Sequence, residues 1–185
     1  MVHKKLNISN HWAKEEYVMK FYMKQKLLSR QDDFTVRDIY GNRVYTVEGE
    51  GISIGRLLRF YNGNHEEIAL IRQKTNSETP VFSIIRDGKE VAQISKNINS
   101  PVKEFDVSKL GWTIHGSQMG HYYLISRNGE EIASVQKRWT TINTCYIVNV
   151  CEGADPVDIL ALTLIIDACP EEERNSIACM MSLIC

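Results

Sequence analysis

Two triplets of the same chemical type recur in the chain, Lys24-Gln25-Lys26 and Arg72-Gln73-Lys74. In an extended strand alternate side chains share a face, so each triplet sets two cations side by side and turns its glutamine to the other face. Paired Lys and Arg suit the oxygens of a phosphate group, which a guanidinium grips bidentately and an ammonium holds as a point charge. Lys96 and Lys137-Arg138 stand at the matching ends of later strand-like segments. If those ends gather on one rim, they form a cationic patch fit for an anionic phospholipid (phosphoinositide) head group, with Lys24, Lys26, Arg72 and Lys74 as its expected ligands. The competing explanation is structural: Lys and Arg commonly fill outward strand positions, where they also protect sheet edges.

Other reactive side chains lead less far. His115 and His121 flank a Gly-Ser-Gln-Met-Gly stretch with no Asp, Glu or Cys beside them, so they read as polar loop residues rather than metal ligands. Asp32-Asp33 could act as paired carboxylates, yet they fall just before a strand, where Asp is a common turn residue. Gly49-Glu50-Gly51-Ile52-Ser53-Ile54-Gly55 resembles a phosphate-cradling loop without the G-x-G-x-x-G spacing or the helix that would follow, and reads as a turn with a bulge. No nucleophile–base pair, metal set or cofactor motif emerges. The five cysteines (Cys145, Cys151, Cys169, Cys179, Cys185) are odd in number, crowd the last quarter, and form no Cys-x-x-Cys. They read as free thiols of a reducing compartment, with Cys145 and Cys151 acting as small apolar residues.

The elements that must position these residues are mostly strands. Asp87-Gly88, Asn128-Gly129, Gly41-Asn42 and Asn62-Gly63-Asn64 each sit between alternating apolar segments. Asp-Gly and Asn-Gly supply the positive φ angles that tight hairpin turns require. Twelve strands are expected, near 21–28, 33–39, 43–48, 56–61, 67–74, 80–86, 89–96, 103–107, 111–115, 121–127, 130–138 and 144–150. One segment breaks the pattern. Residues 157–166 are apolar almost all round, Asp155 is a good N-cap, Pro156 suits the first helical position, and Pro170 stops the run. Such a helix must be enclosed, and a barrel of twelve strands is wide enough to enclose it. The apolar run is too short to span a bilayer, which needs about 20 residues.

The formal net charge of −1 offers no polycation for nucleic acid. The charge is uneven, however. Residues 1–30 hold seven Lys or Arg against two Glu, a local +5. The expected organisation is a basic arm over residues 1–18, a barrel over 19–169 and a tail over 170–185 with an acidic start and an apolar end.

Met23-Lys24-Gln25-Lys26, Asp32-Asp33-Phe34-Thr35-Val36, Ser53-Ile54-Gly55, Ile71-Arg72-Gln73-Lys74, Trp139 and Ile165-Ile166-Asp167 lie in an order and spacing that resembles the LURP-one-related family. That family is allied to the tubby C-terminal domain and the phospholipid scramblases. The resemblance spans about residues 19–169. It implies a closed twelve-stranded antiparallel barrel around a central C-terminal helix, in agreement with the strands and helix read directly. Tubby domains bind phosphoinositides through basic strand residues, which implies a binding role. The expectation is a cytoplasmic, non-enzymatic binding protein, peripheral to a membrane, whose partner is an anionic lipid surface or another protein. Its rival is an enzyme or small-ligand barrel with a pocket not evident in the sequence. A scramblase is disfavoured, because the Pro-rich leader and membrane-inserting tail of those relatives are missing from the pattern.

Overall fold

The computed structural model describes residues 17–26, 32–50, 55–77, 79–96, 105–117, 121–139 and 144–169. Its elements are β1 (Tyr17–Gln25), β2 (Phe34–Arg37), β3 (Arg43–Gly49), β4 (Leu57–Tyr61), β5 (Glu67–Lys74), β6 (Val81–Arg86), β7 (Lys89–Lys96), β8 (Phe105–Ser108), β9 (Trp112–Ser117), β10 (Tyr122–Arg127), β11 (Glu130–Trp139), β12 (Thr144–Cys151) and α1 (Pro156–Ala168). Every strand pairs antiparallel with its neighbours in sequence, and β1 pairs with β12, so the ring closes. This is the barrel expected from the hairpin repeats.

The first strand differs from expectation. It begins at Tyr17 rather than near residue 21. Val18, Lys20, Tyr22 and Lys24 face out while Phe21 and Met23 are buried, and a bulge after Tyr17 keeps that residue paired with Cys151. Tyr17 and Val18 therefore belong to the barrel wall. The remainder of the arm, and the tail beyond Cys169 with its apolar stretch 177–185, lie outside the described residues.

Turn chemistry explains the lower end of the barrel. Asp87 and Gly88 have φ of 50° and 72°, and Asn128 and Gly129 have 53° and 84°. Two successive positive angles make the turn whose twist matches antiparallel strands. The turn at Asn62-Gly63-Asn64 is a correction. There the positive φ falls on His65, at 62°, and not on Gly63. Asn62 Oδ1 accepts from the amides of Asn64 and Glu66, both at 3.0 Å, which widens the turn and moves the left-handed position along the chain.

The helix enters from that lower end. Asp155 caps it, its Oδ1 accepting from Val157 N at 2.8 Å. Arg86 holds both Asp155 and the buried Asp158, the latter at 3.4 Å. Burial raises the Asp158 pKa, the neighbouring Asp155 adds to the rise, and Arg86 opposes it. From Val157 to Ile166 every residue is buried, so α1 fills the lumen with Leu160, Leu162, Leu164, Ile165 and Ile166 as expected. The buried Thr163 hydroxyl donates to Ile159 O at 2.9 Å, so it brings no unpaired group into the core. At about 1.5 Å per residue the helix runs the height of the barrel and leaves at the upper end. Among the described cysteines, Cys145, Cys151 and Cys169 are free. Cys145 and Cys151 are six residues apart on one extended strand, roughly 20 Å at a strand rise, too far to bridge.

Candidate functional site

Lys24, Lys26, Arg72 and Lys74 are all exposed, and all four sit at the upper end of the ring. Within each pair the cations share the outer face, as the period of two dictates. The two pairs are not brought together. Strands β1 and β5 are separated by β2, β3 and β4, and at ~4.8 Å per strand the walls they occupy lie about 19 Å apart along the sheet. Lys26 faces Asp33 at 3.9 Å. Lys74 donates to Gln93 Oε1 at 2.7 Å and lies 3.6 Å from Glu90.

Lys96 and Lys137 stand at the same end but on the inner face, in register with Ile94 and Val135 below them. There they meet the exit of α1. Lys137 bonds Asp167, and its Nζ is 5.7 Å from the centre of the Tyr146 ring. Lys96 and Arg56 both lower the Cys169 pKa, although burial outweighs them and pushes it up to about 11. No basic residue occupies the last turn of α1 itself. Rim cations from the surrounding strands thus supply the positive charge that a helix C-terminus favours. Their inner-face position separates them from the outward pairs.

A pocket of about 550 Å3 opens over the upper ends of β4 and β5. Arg56, Arg72, Lys74 and Thr75 line it, so one of the two expected cation pairs is at a concave site. The strand ends beneath it are locked together: Gln73 N donates to Arg56 O at 2.8 Å, and Arg56 N donates to Gln73 Oε1 at 3.0 Å. Gly55, at φ +88°, lets the incoming chain lie against β5, where a Cβ would meet Thr75 Cγ2 at 2.9 Å. Arg56 binds Asp32 through Nη2 at 2.7 Å, and its charge is felt by Tyr146 and Cys169 at the exit of α1, so its guanidinium lies on the inner side with Gln73. Arg56 was not a sequence candidate. Only its register opposite Gln73 places it here, and nothing in its local sequence signals that.

Asp32 and Asp33 resolve into structural roles. They hold different cations, and Asp33 Oδ1 also accepts from Gly49 N at 3.0 Å, so they do not act as a carboxylate pair. Gly51, Ser53 and Gly55 match the spacing of a nucleophile elbow. That device needs a strand-to-helix turn, whereas here the segment joins the antiparallel strands β3 and β4, and residues 51–54 lie outside the described residues. Among the described residues no three His, Cys, Asp or Glu side chains gather as a metal site. No helix of the described residues is long and apolar enough to cross a membrane.

A family model described as LURP-one-related matches residues 19–167, from β1 to the last turn of α1. The chain belongs to the LURP-one-related family. It is 26% identical over 151 residues to the uncharacterized protein YxjI of Bacillus subtilis (strain 168), a match that covers 81% of this chain and 93% of the relative. An X-ray structure of a protein from Arabidopsis thaliana superposes with a TM-score of 0.58 at 13% identity, covering 83% of this chain and 91% of that one. At that identity the likeness speaks for the fold alone. In this LURP-one-related barrel the lumen is taken by α1, so a ligand is left with the rim and the outer wall.

Proposed function

We propose that this protein is a non-enzymatic binding module for a phosphoryl-bearing ligand, seated in the pocket over β4 and β5. The observation that carries the reading is the pocket of about 550 Å3 lined by Arg72, Lys74 and Thr75, within the ordinary size range of small-ligand sites. The Arg72 guanidinium fork and the Lys74 ammonium, side by side on the outer face, match a dianionic phosphate. The Thr75 hydroxyl adds a neutral donor. The paired backbones of Arg56 and Gln73 fix the site before the ligand arrives, which lowers the cost of binding.

Lys24 and Lys26 are not part of this pocket, so the two expected pairs make different predictions. Titration of the 15N-labelled protein with inorganic phosphate, and separately with a soluble inositol phosphate, should shift the amides of Arg56, Arg72 and Thr75. Arg72→Gln should weaken binding by about tenfold or more, the loss of one charge-assisted contact, and Lys24→Gln should leave it unchanged. Saturation at sites remote from β4 and β5, or no shift with either anion, would refute the reading.

A further inference from the structure

The exposed large hydrophobic side chains of the described residues are Val18, Tyr22, Ile39 and Tyr40, and all four fall on one side of the barrel. Val18 and Tyr22 lie on the outer row of β1. Ile39 and Tyr40, exposed by 58% and 82%, form the tip of the β2–β3 hairpin at the lower end. Tyr22 pairs with Arg37, and the same register carried downward sets Lys20 level with Ile39. The four apolar side chains therefore make a strip along one side of the barrel, interrupted by Lys20.

Cations bracket that strip. Lys20 and Lys24 alternate with Tyr22 along β1, and Lys20 Nζ lies 5.7 Å from the centre of the Tyr22 ring. At the base of the hairpin tip Arg37 stands across from Arg43 beside a bulge, and its Nη1 donates to Gly41 O at 2.6 Å. Like charges opposite each other in a sheet repel, so an anion supplied from outside would relieve the pair. Asp38, the acid at the tip, is engaged within the turn: its Oδ1 accepts from the amides of Tyr40 and Asn42 at 2.9 Å, and its Oδ2 from Asn42 Nδ2 at 3.0 Å.

We propose that the β1 wall and the β2–β3 hairpin tip form a docking surface for an anionic lipid bilayer. Lys20, Arg37 and Arg43 meet the head groups while Ile39 and Tyr40 enter the interface. An aromatic and an aliphatic side chain on a protruding turn, flanked by arginines, match the layered chemistry of that interface, apolar beneath and anionic above. A second copy of the chain is a poor occupant, because a two-fold contact through this face would set its cations against themselves. The surface is independent of the pocket reading. The pocket opens at the opposite end of the barrel, so a bilayer seated on the hairpin tip leaves it facing away, toward soluble ligands.

The test is co-sedimentation at low salt with phosphatidylserine–phosphatidylcholine vesicles and with phosphatidylcholine vesicles alone. The protein should pellet with the first and not the second, and added salt should release it. Each cation near a charged leaflet is worth about fivefold in partitioning, so replacing Lys20, Arg37 and Arg43 by Gln should cost about a hundredfold. Ile39→Ser with Tyr40→Ser should cost about tenfold or more at unchanged melting temperature. That variant decides the matter if loss of the Arg37 contact to Gly41 O disturbs the turn. Arg72→Gln should pellet as the wild type does, which keeps this result separate from the pocket. Wild-type protein that ignores anionic vesicles overturns the proposal. So does vesicle binding that the tip variant leaves intact, or capture of an acidic protein by this face when vesicles are ignored.

Discussion

Leu162 lies midway along α1 with no exposed surface, inside a wall whose strands are hydrogen-bonded all the way round. Leu162→Ala removes three carbon groups, about 2.4 kcal/mol at ~0.8 kcal/mol each. A closed ring is poorly placed to collapse onto the gap. If most of a void of roughly 70 Å3 persists, ~24 cal/mol per Å3 adds about 1.7 kcal/mol, for a total near 4 kcal/mol. For a domain of this size that is a fall of about 8–16 °C in melting temperature. Urea denaturation followed by circular dichroism measures it directly, and the slope of the transition should not change, because the surface exposed on unfolding is the same. Leu162→Asp should abolish folding, since no water or counter-ion reaches the site to satisfy the charge. A loss below about 1 kcal/mol for the alanine variant, or a soluble aspartate variant with an unchanged melting curve, would mean that the helix is not enclosed and that the central-helix architecture is wrong.

Two further outcomes test the turns and the surface electrostatics. Gly88→Val and Gly129→Val should each cost more than ~1 kcal/mol, although a Cβ there meets nothing within 4 Å, because the cost lies in the positive φ; Gly63→Ala, equally open but outside that region, should be close to neutral in the same melting assay. Glu90 accepts from Lys109 Nζ and from the Ser83 hydroxyl, which hold its pKa down from an ordinary 4.5 to about 2. Its stabilising effect is thus fully present above the unfolded value and lost as the pH falls toward 2. Between about pH 5 and about pH 3 the wild type should lose more stability to urea than Glu90→Gln does, and parallel losses would count against the network.

The sequence carried the barrel because its local signals agreed with one another. Asp87-Gly88 and Asn128-Gly129 demand positive φ, the segments beside them alternate with a period of two, and the 157–166 run has no polar face to leave in water. Asn62-Gly63 misled because the Asn62 side chain captured two amides and passed the left-handed position to His65. The site was legible in halves. Period two correctly makes Lys24 and Lys26 neighbours, and likewise Arg72 and Lys74. How far apart the halves lie depends on how many strands separate them around a closed ring, which is a property of the whole sheet. The inward turn of Lys96 and Lys137 depends on register and on the emerging helix. Ile39 and Tyr40 did leave a trace in the sequence: apolar residues between Asp38 and Gly41, where a turn ordinarily carries polar ones.

The position of α1 in the chain has a consequence for biosynthesis. The ring closes only when Tyr17 finds Cys151, and the lumen fills only with residues 156–168, which leave the ribosome after all twelve strands. Contacts between the two ends of a domain are slow to form, and until they do the inner faces of twelve strands are open to water and to other chains. The nascent protein therefore passes through a period in which its strands exist without the element that unites them. A chain halted at residue 155 would possess every strand of the barrel and nothing to wrap them around.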